Sequence, residues 1–159
     1  TLSITIMERR PVALLKAGKL YYVDKNGTPF DTINKDVGCD FPVFTGPTDS
    51  TSIKAFMPLL RRSLSLINKD TNQIISEINL NLSNGVTLVT LPETLPVRLG
   101  KKDLNKRLHR FLKTYRFIRR RGIQAKYLDC RYPDRVVLKY AKPPHAHHSS
   151  LEVRSEKTG

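Results

Sequence analysis

The stretch that decides the fold is IISEINLNLSNGVTLVTL, residues 74–91. Apolar and polar residues alternate on both sides of Ser83-Asn84-Gly85, which is typical of two half-buried strands. Asn-Gly suits the positive backbone angles of a tight hairpin turn. Pro92 ends the second strand, and residues 96–99 predict a short third one. This stretch predicts neighbouring strands joined as hairpins.

The residues before this hairpin predict further short strands. Residues 1–6 alternate with period two, and residues 12–15, 20–23 and 28–30 follow as strand candidates. The turns between them are expected at Ala17-Gly18 and at Asp24-Lys25-Asn26-Gly27. Residues 31–47 are expected to be mostly loop, with a short apolar piece at 41–44. The chain begins without Met in what resembles the middle of a strand, so we expect a fragment or a processed product.

Two helices are predicted from apolar residues spaced three or four apart. The first pattern begins at Ser52 and contains Pro58. Its regular part either starts near that proline, which we favour, or is kinked there. The second follows Gly100 and ends at Gly122. Its apolar stripe consists of Leu104, Leu108, Phe111, Leu112, Tyr115 and Ile118.

The C-terminal region predicts a last hairpin, residues 126–132 and 135–141, that turns at Pro133-Asp134. Leu128 and Cys130 are expected on its core face. Because the strands come as adjacent hairpins, we predict an α+β fold: a mostly antiparallel sheet with two helices on one face. Residues 143–159 have little to bury and are expected to be a disordered tail.

The net charge of +14 is the largest compositional signal. Such charge indicates nucleic acid, an anionic membrane surface or an acidic protein as a partner. Residues 101–121 alone contain ten Lys or Arg and one acid, Asp103. These cations either form a solvated helix face or attract phosphates. Aromatic residues are not interleaved on the basic face, and no helix-turn-helix or RNA-binding signature is present, so nucleic-acid binding is weakly supported.

The sequence contains no pattern that indicates an enzyme, a metal site or a cofactor. It lacks a phosphate-cradling glycine loop, HExxH, GxSxG and a convincing pair of carboxylates. His145, His147 and His148 fall in the tail, where idle side chains or adventitious metal binding are the alternatives; His109 is expected on a solvated helix face. Cys39 and Cys130 are interpreted as buried free thiols rather than a disulfide. No apolar run is long enough to span a bilayer, and no signal peptide is recognisable.

Five segments, in order, resemble the bacterial cell-division family FtsQ/DivIB. They are ERRPVALL (8–15), YYVDKNGTPF (21–30), FPVFTGP (41–47), LGKKDLNKRLHRF (99–111) and YLDCRYPDRVVL (127–138). They match that family's ER-x-PVA, VD-x-x-G-x-x-F, LP-x-x-x-GP, LG…KRL-x-RF and YxDLRY patterns, with Cys130 in place of the usual Leu. The resemblance covers about residues 1–141.

The resemblance implies a membrane-anchored, non-enzymatic divisome scaffold outside the cytoplasmic membrane, at the division septum. It implies that residues 1–10 end a POTRA domain and that residues 11–142 form the family's β-domain. It also implies FtsB and FtsL as partners, with FtsK-like proteins and septal synthases as indirect ones. An anionic membrane surface is a further candidate partner, and nucleic acid is not expected. A basic nucleic-acid-binding module is the alternative.

The resemblance further implies that FtsB adds a strand beside the last strand of the sheet. The candidate partner-binding positions are Tyr127, Arg131, Tyr132, Val136, Leu138 and Tyr140. We expect Tyr132 and Tyr140 to rim one apolar pocket, residues 135–141 to be the outermost strand, and Arg131 to pair with a partner acid. An ion pair between Arg131 and Asp129 within the chain is the alternative. Candidate contacts to an anionic surface are Lys106, Arg110, Lys113, Arg116 and Arg120.

Overall fold

Two helices pack on one face of a ten-stranded sheet in a computed structural model that describes residues 2–5, 8–33, 40–47, 49–71, 73–140 and 150–154. The helices are α1 (Ser50–Thr71) and α2 (Leu104–Arg120). The strands are β1 (Pro11–Ala17), β2 (Lys19–Asp24), β3 (Pro29–Thr32), β4 (Val43–Thr45), β5 (Ile74–Asn81), β6 (Gly85–Leu91), β7 (Leu95–Gly100), β8 (Ala125–Asp129), β9 (Arg135–Tyr140) and β10 (Ser150–Arg154).

The strand order is β10-β9-β8-β7-β6-β5-β4-β1-β2-β3. Most neighbours are antiparallel, and the parallel pairs are β1–β4, β4–β5 and β7–β8. The chain passes from β4 to β5 through α1 and from β7 to β8 through α2. A parallel neighbour requires such a crossover, which a tight turn cannot provide. The predicted α+β fold is confirmed.

The core lies between the helices and one face of the sheet. Alternate residues of the central strands are fully buried there, among them Ile78, Leu88 and Val97. The predicted stripe of α2 packs onto this face: Leu108, Phe111, Leu112, Tyr115 and Ile118 are buried, and Leu104 is half-buried against the same cluster. Each fully buried side chain of this kind contributes about 1.5–3 kcal/mol of transfer free energy. His109 lies on the exposed side of α2, as predicted.

Both predicted Asn-Gly turns form, because an upstream side chain accepts hydrogen bonds from the turn backbone. Asp24 Oδ1 accepts from the backbone N–H groups of residues 26 and 28 at 2.9 and 3.0 Å. Asn81 Oδ1 accepts from those of residues 83 and 84 at 2.8 and 3.0 Å. Gly27 and Gly85 have φ of 80° and 77°, which glycine adopts without strain.

Helix α1 begins eight residues before Pro58, so the predicted start was wrong. Asp49 caps the helix: its Oδ1 accepts from the backbone N–H of Ser52 at 2.7 Å. Ile53, Phe56 and Met57 are buried in the core, whereas Pro58 faces solvent. Core packing of the first turns therefore outweighs the backbone hydrogen bond that proline removes.

The predicted first strand does not form over the residues that are described there. Residues 2–5 and 8–10 lie in no strand, and Leu2 and Ile4 are 86% and 74% exposed. A strand needs a neighbour to take up its backbone N–H and C=O groups. Within the described ranges no strand pairs with this segment, so alternation alone does not produce one.

A close backbone approach joins β6, β7 and the start of α2. A Cβ atom at Gly85 would lie 2.2 Å from the carbonyl carbon of Gly100. Arg107 of α2 donates from Nη1 to the carbonyl oxygen of Leu99 at 2.6 Å and lies against Gly100, as Arg131 does. The LG and KRL pieces of the fourth motif thus meet at one corner, next to the β8–β9 turn.

Candidate functional site: the C-terminal edge of the sheet

The β8–β9 hairpin carries the predicted partner-binding positions and is anchored in the core. Leu128 and Cys130 are fully buried, which confirms their predicted core face. Val136 and Leu138 of β9 are also fully buried. Because these two side chains point into the core, a strand paired with β9 meets them through its own core-facing side chains, as Val153 opposite Val136 does.

The turn between the strands is held by Arg131 and Asp129. Strand β8 ends at Asp129, so Arg131 and Tyr132 lie in the turn and not in the strand predicted to reach residue 132. Arg131 donates from Nε and Nη2 to the Asp129 carboxylate at 2.9 and 2.7 Å, and its backbone N–H donates to Oδ1 at 3.1 Å. The intrachain alternative is therefore the arrangement found.

This pair also shifts both pKa values. Burial by itself would raise the pKa of Asp129, but hydrogen bonds from Arg131 and the charges of Arg131 and Arg98 outweigh it and hold that pKa below its ordinary value. The Asp129 hydrogen bonds raise the pKa of Arg131. The Arg131 side chain remains 40% exposed, so it stays accessible at the surface while bound to Asp129.

Arg110 of α2 holds the same turn from the helix side. Its Nη1 donates to the carbonyl oxygen of Tyr132, and its Nη2 donates to that of Pro133 at 2.6 Å. From the sequence, Arg110 was expected to contact an anionic surface. The geometry gives it a structural contact between α2 and the turn that bears Arg131 and Tyr132, and its contact with an anionic surface stays a prediction.

The tyrosines of the site do not share one pocket. Tyr132 lies in the turn before β9, is 39% exposed, and has the Arg135 guanidinium 5.2 Å from its ring centroid. Tyr140 is the last residue of β9 and packs half-buried against the core. The two tyrosines therefore lie at opposite ends of β9, a strand of six residues that rises about 3.3 Å per residue. The predicted common pocket rim was wrong.

The face of the sheet away from the helices carries the remaining aromatic position. Tyr127 is half-buried on β8, and the Arg98 guanidinium lies 5.1 Å from its ring centroid. Sequence reasoning missed Arg98. The signal was present, since Arg98 alternates with the buried Val97 and Leu99 on β7 and must face the other side of the sheet.

The outer edge of β9 is occupied by β10, a strand that the sequence did not predict. Ser150–Arg154 pairs antiparallel with β9, from Ser150 opposite Lys139 to Arg154 opposite Arg135. Strand β9 is thus not the outermost strand, and residues 150–154 form a strand where a disordered tail was expected. Val153, opposite Val136, packs half-buried against the core. Residues 143–149 and 155–159 of the predicted tail, including its three histidines, lie outside the described residues.

Helix α2 presents a basic outer face. Lys106, Lys113, Arg116 and Arg120 are exposed, and Phe117 among them is 39% exposed. The prediction that no aromatic residue is interleaved on the basic face was therefore wrong. The Arg121 guanidinium lies 4.4 Å from the Phe117 ring centroid. Arg119 is engaged in an ion pair with Glu93 at 2.7 Å. Cations on this face, with one aromatic ring at its centre, suit an anionic surface.

The part of the chain that the structure describes contains no group of His, Cys, Asp and Glu that could hold a metal. Cys130 is a free, buried thiol, and burial raises its pKa to about 12; Cys39 lies outside the described residues. Over the same described ranges, no helix is long and apolar enough to cross a bilayer.

Comparison with known proteins places these features in a family. Residues 13–131 match the family model for the C-terminal domain of the cell division protein FtsQ/DivIB. The chain is 31% identical over 149 residues to the cell division protein FtsQ of Geotalea daltonii, which covers 87% of this chain and 54% of that protein. It is 32% identical to FtsQ of Geobacter sp. (strain M21), with the same coverage of both chains, and 32% identical to FtsQ of Anaeromyxobacter sp. (strain K), with 88% and 51% covered. The chain spans about half the length of these relatives.

Proposed function

Because this chain belongs to the FtsQ/DivIB family of bacterial cell-division proteins, we propose that it is the scaffold part of a divisome protein that recruits FtsB and FtsL. It acts outside the cytoplasmic membrane at the septum, in a membrane-anchored protein. It carries out no catalysis. FtsK-like proteins and septal synthases interact with the assembly indirectly. Family membership gives no support to the alternative of a nucleic-acid-binding module.

The proposed mechanism is strand addition at the C-terminal edge of the sheet. An edge strand presents unpaired backbone N–H and C=O groups that a partner strand can take up. Strand β9 presents such groups on its outer side only when β10 is not paired with it. The observation that carries the proposal is the pairing of β9 with a second antiparallel strand along five residues. Strand β9 therefore has a backbone that accepts a strand on that side.

Selectivity then falls to the side chains around the edge. Asp129 and Arg110 hold the turn that bears Tyr132 and Arg131, so little backbone entropy is lost when a partner packs on these side chains. Tyrosine and arginine are common anchors of protein interfaces. Tyr140 lies at the other end of β9. Tyr127 contributes an aromatic surface on the neighbouring strand β8, on the face of the sheet away from the helices. Val136 and Leu138 contribute core-facing positions beside which apolar residues of a partner strand would pack.

Binding of a synthetic peptide with the FtsB C-terminal sequence tests the proposal. We expect Tyr132→Ala and Tyr140→Ala each to weaken binding about tenfold, since loss of a large interface side chain costs more than about 1 kcal/mol. Lys113→Ala, on the exposed face of α2, is the matched control and should bind as the unaltered chain does. Thermal melts confirm that each variant is folded. Equal affinity of all four proteins would contradict the assignment of these tyrosines.

We propose a second contact, between the outer face of α2 and anionic lipid headgroups. The supporting observation is the set of exposed cations around the half-exposed ring of Phe117. Each Lys or Arg near an anionic membrane contributes about 1 kcal/mol, and salt screens that attraction.

Co-sedimentation with phosphatidylglycerol vesicles at low salt tests this contact. We expect the chain to sediment with these vesicles and not with phosphatidylcholine vesicles. Joint replacement of Lys106, Lys113 and Arg120 by Gln should abolish retention, whereas Lys16→Gln, Lys19→Gln and Lys25→Gln together, outside α2, should not. Failure of the unaltered chain to sediment would refute the lipid contact and leave the strand-addition proposal untouched.

A further inference from the structure

We propose that β10 is a built-in competitor that covers the β9 edge until a partner strand replaces it. This inference rests on the proposed strand addition, because the partner and β10 would use the same side of β9. In the strand order of the described residues, β10 is the neighbour of β9 and ends the sheet. A partner strand that pairs with β9 must therefore displace residues 150–154.

The register shows how closely β10 fulfils the role of a bound strand. Five consecutive residues pair antiparallel, with Leu151 opposite Leu138 and Val153 opposite Val136. Leu138 and Val136 are fully buried, so the register places an apolar residue of β10 next to each of these two core positions. Val153 is packed half-buried against the core. Glu152 is opposite Val137 in the register, and the β9 positions diagonal to it are Arg135 and Lys139.

The covering strand is tethered but weakly held. It is five residues long, and short strands at the end of a sheet open at a smaller free-energy cost than core strands. Residues 141–149 join β10 to β9 in the sequence, so β10 competes with a partner strand from within the same chain. Such a strand shields the edge from non-specific strand pairing in the absence of a partner. It remains displaceable by a partner strand that makes a longer ladder and adds contacts to Tyr132.

The pattern of β10 also describes the partner. A strand that replaces it runs antiparallel to β9 and has apolar residues at the positions opposite Val136 and Leu138. An acidic residue between them, opposite Val137, would lie diagonal to two cations. We therefore expect the partner segment to contain the same apolar-acidic-apolar pattern as Leu151-Glu152-Val153.

Truncation tests the inference. The truncated chain that lacks residues 150–159 has no β10. The chain that lacks only residues 155–159 keeps β10 and is the matched control. Two fluorescent peptides serve as probes: the FtsB C-terminal peptide, and residues 149–155 of this chain. We expect removal of β10 to tighten binding of both peptides about tenfold relative to the full chain and the control truncation. Hydrogen exchange of β9 amides should rise in the chain without β10 and fall again when either peptide binds.

The outcomes separate this inference from the proposed function. Equal binding of the FtsB peptide to all three chains would overturn the competitor role while strand addition stands. Weaker binding after removal of β10 would also overturn it, because the partner would then pair with β10 itself. No binding of the FtsB peptide to any chain, with binding of the 149–155 peptide to the chain lacking β10, would instead refute the proposed function.

Discussion

Replacing Gly85 by alanine tests the corner where β6, β7 and α2 meet. The new Cβ would lie 2.2 Å from the carbonyl carbon of Gly100, 2.4 Å from its oxygen and 2.6 Å from the Lys101 nitrogen. Carbon atoms pack at about 3.5–4.0 Å, so β6 and β7 must separate by more than about 1 Å at this point. All three atoms are backbone, which cannot move aside as a flexible side chain can.

The free energy follows from two contributions. Alanine at φ of 77° loses about 1–2 kcal/mol from the left-handed backbone alone. Separation of the strands weakens backbone hydrogen bonds, each contributing about 1 kcal/mol, and loosens the packing of the buried Val86 and Leu99. We expect a total loss of about 3–5 kcal/mol in the free energy of unfolding. At about 2–4 °C per kcal/mol for a chain of this size, the melting temperature should fall by about 6–20 °C.

Gly18→Ala is the matched control. Gly18 has φ of 70°, and a Cβ added there would meet nothing within 4 Å, so only the backbone contribution of about 1–2 kcal/mol applies. Circular dichroism melts and urea titrations of both variants measure the difference. If Gly85→Ala and Gly18→Ala lower the unfolding free energy equally, the close backbone approach has no energetic consequence, and the expected separation of β6 from β7 is refuted.

Three further outcomes test the site. The folded pKa of Asp129 is lowered, so the stabilisation that its carboxylate provides is present above the ordinary aspartate pKa and is lost as pH falls through the folded pKa. Asp129→Asn should therefore lower the unfolding free energy at pH 7. Urea titrations should show that this loss becomes smaller below about pH 4. With Cys39 replaced by serine, Cys130 should react with a thiol reagent at pH 8 only in denaturant, since burial raises its pKa to about 12; fast reaction of the folded chain would contradict this. Arg110→Met should lower the unfolding free energy by about 1–2 kcal/mol, through two lost hydrogen bonds to the turn, whereas Lys113→Met should leave it nearly unchanged in the same urea titration.

Local patterns predicted most of the elements, because hairpin turns and helix stripes depend on residues close in sequence. The Asn-Gly turns at Gly27 and Gly85 require a residue that tolerates positive φ, and the α2 stripe requires only helical spacing. Prediction failed where a distant contact decided the outcome. Pro58 lies inside α1 because Ile53, Phe56 and Met57 have a core to bury against, and residues 2–5 alternate like a strand but have no described neighbour.

The candidate site divides in the same way. The sequence by itself determined the C-terminal hairpin, its buried face at Leu128 and Cys130, and, through the ordered motifs, the family. Only the tertiary structure decided that Arg110 holds the turn, that Tyr132 and Tyr140 lie at opposite ends of β9, and that β10 covers its edge. The physical reason is that a short edge strand has no distinctive composition of its own. Residues 150–154 form a strand because the backbone groups of β9 pair with theirs. This pairing cannot be recognised from residues 150–154 alone.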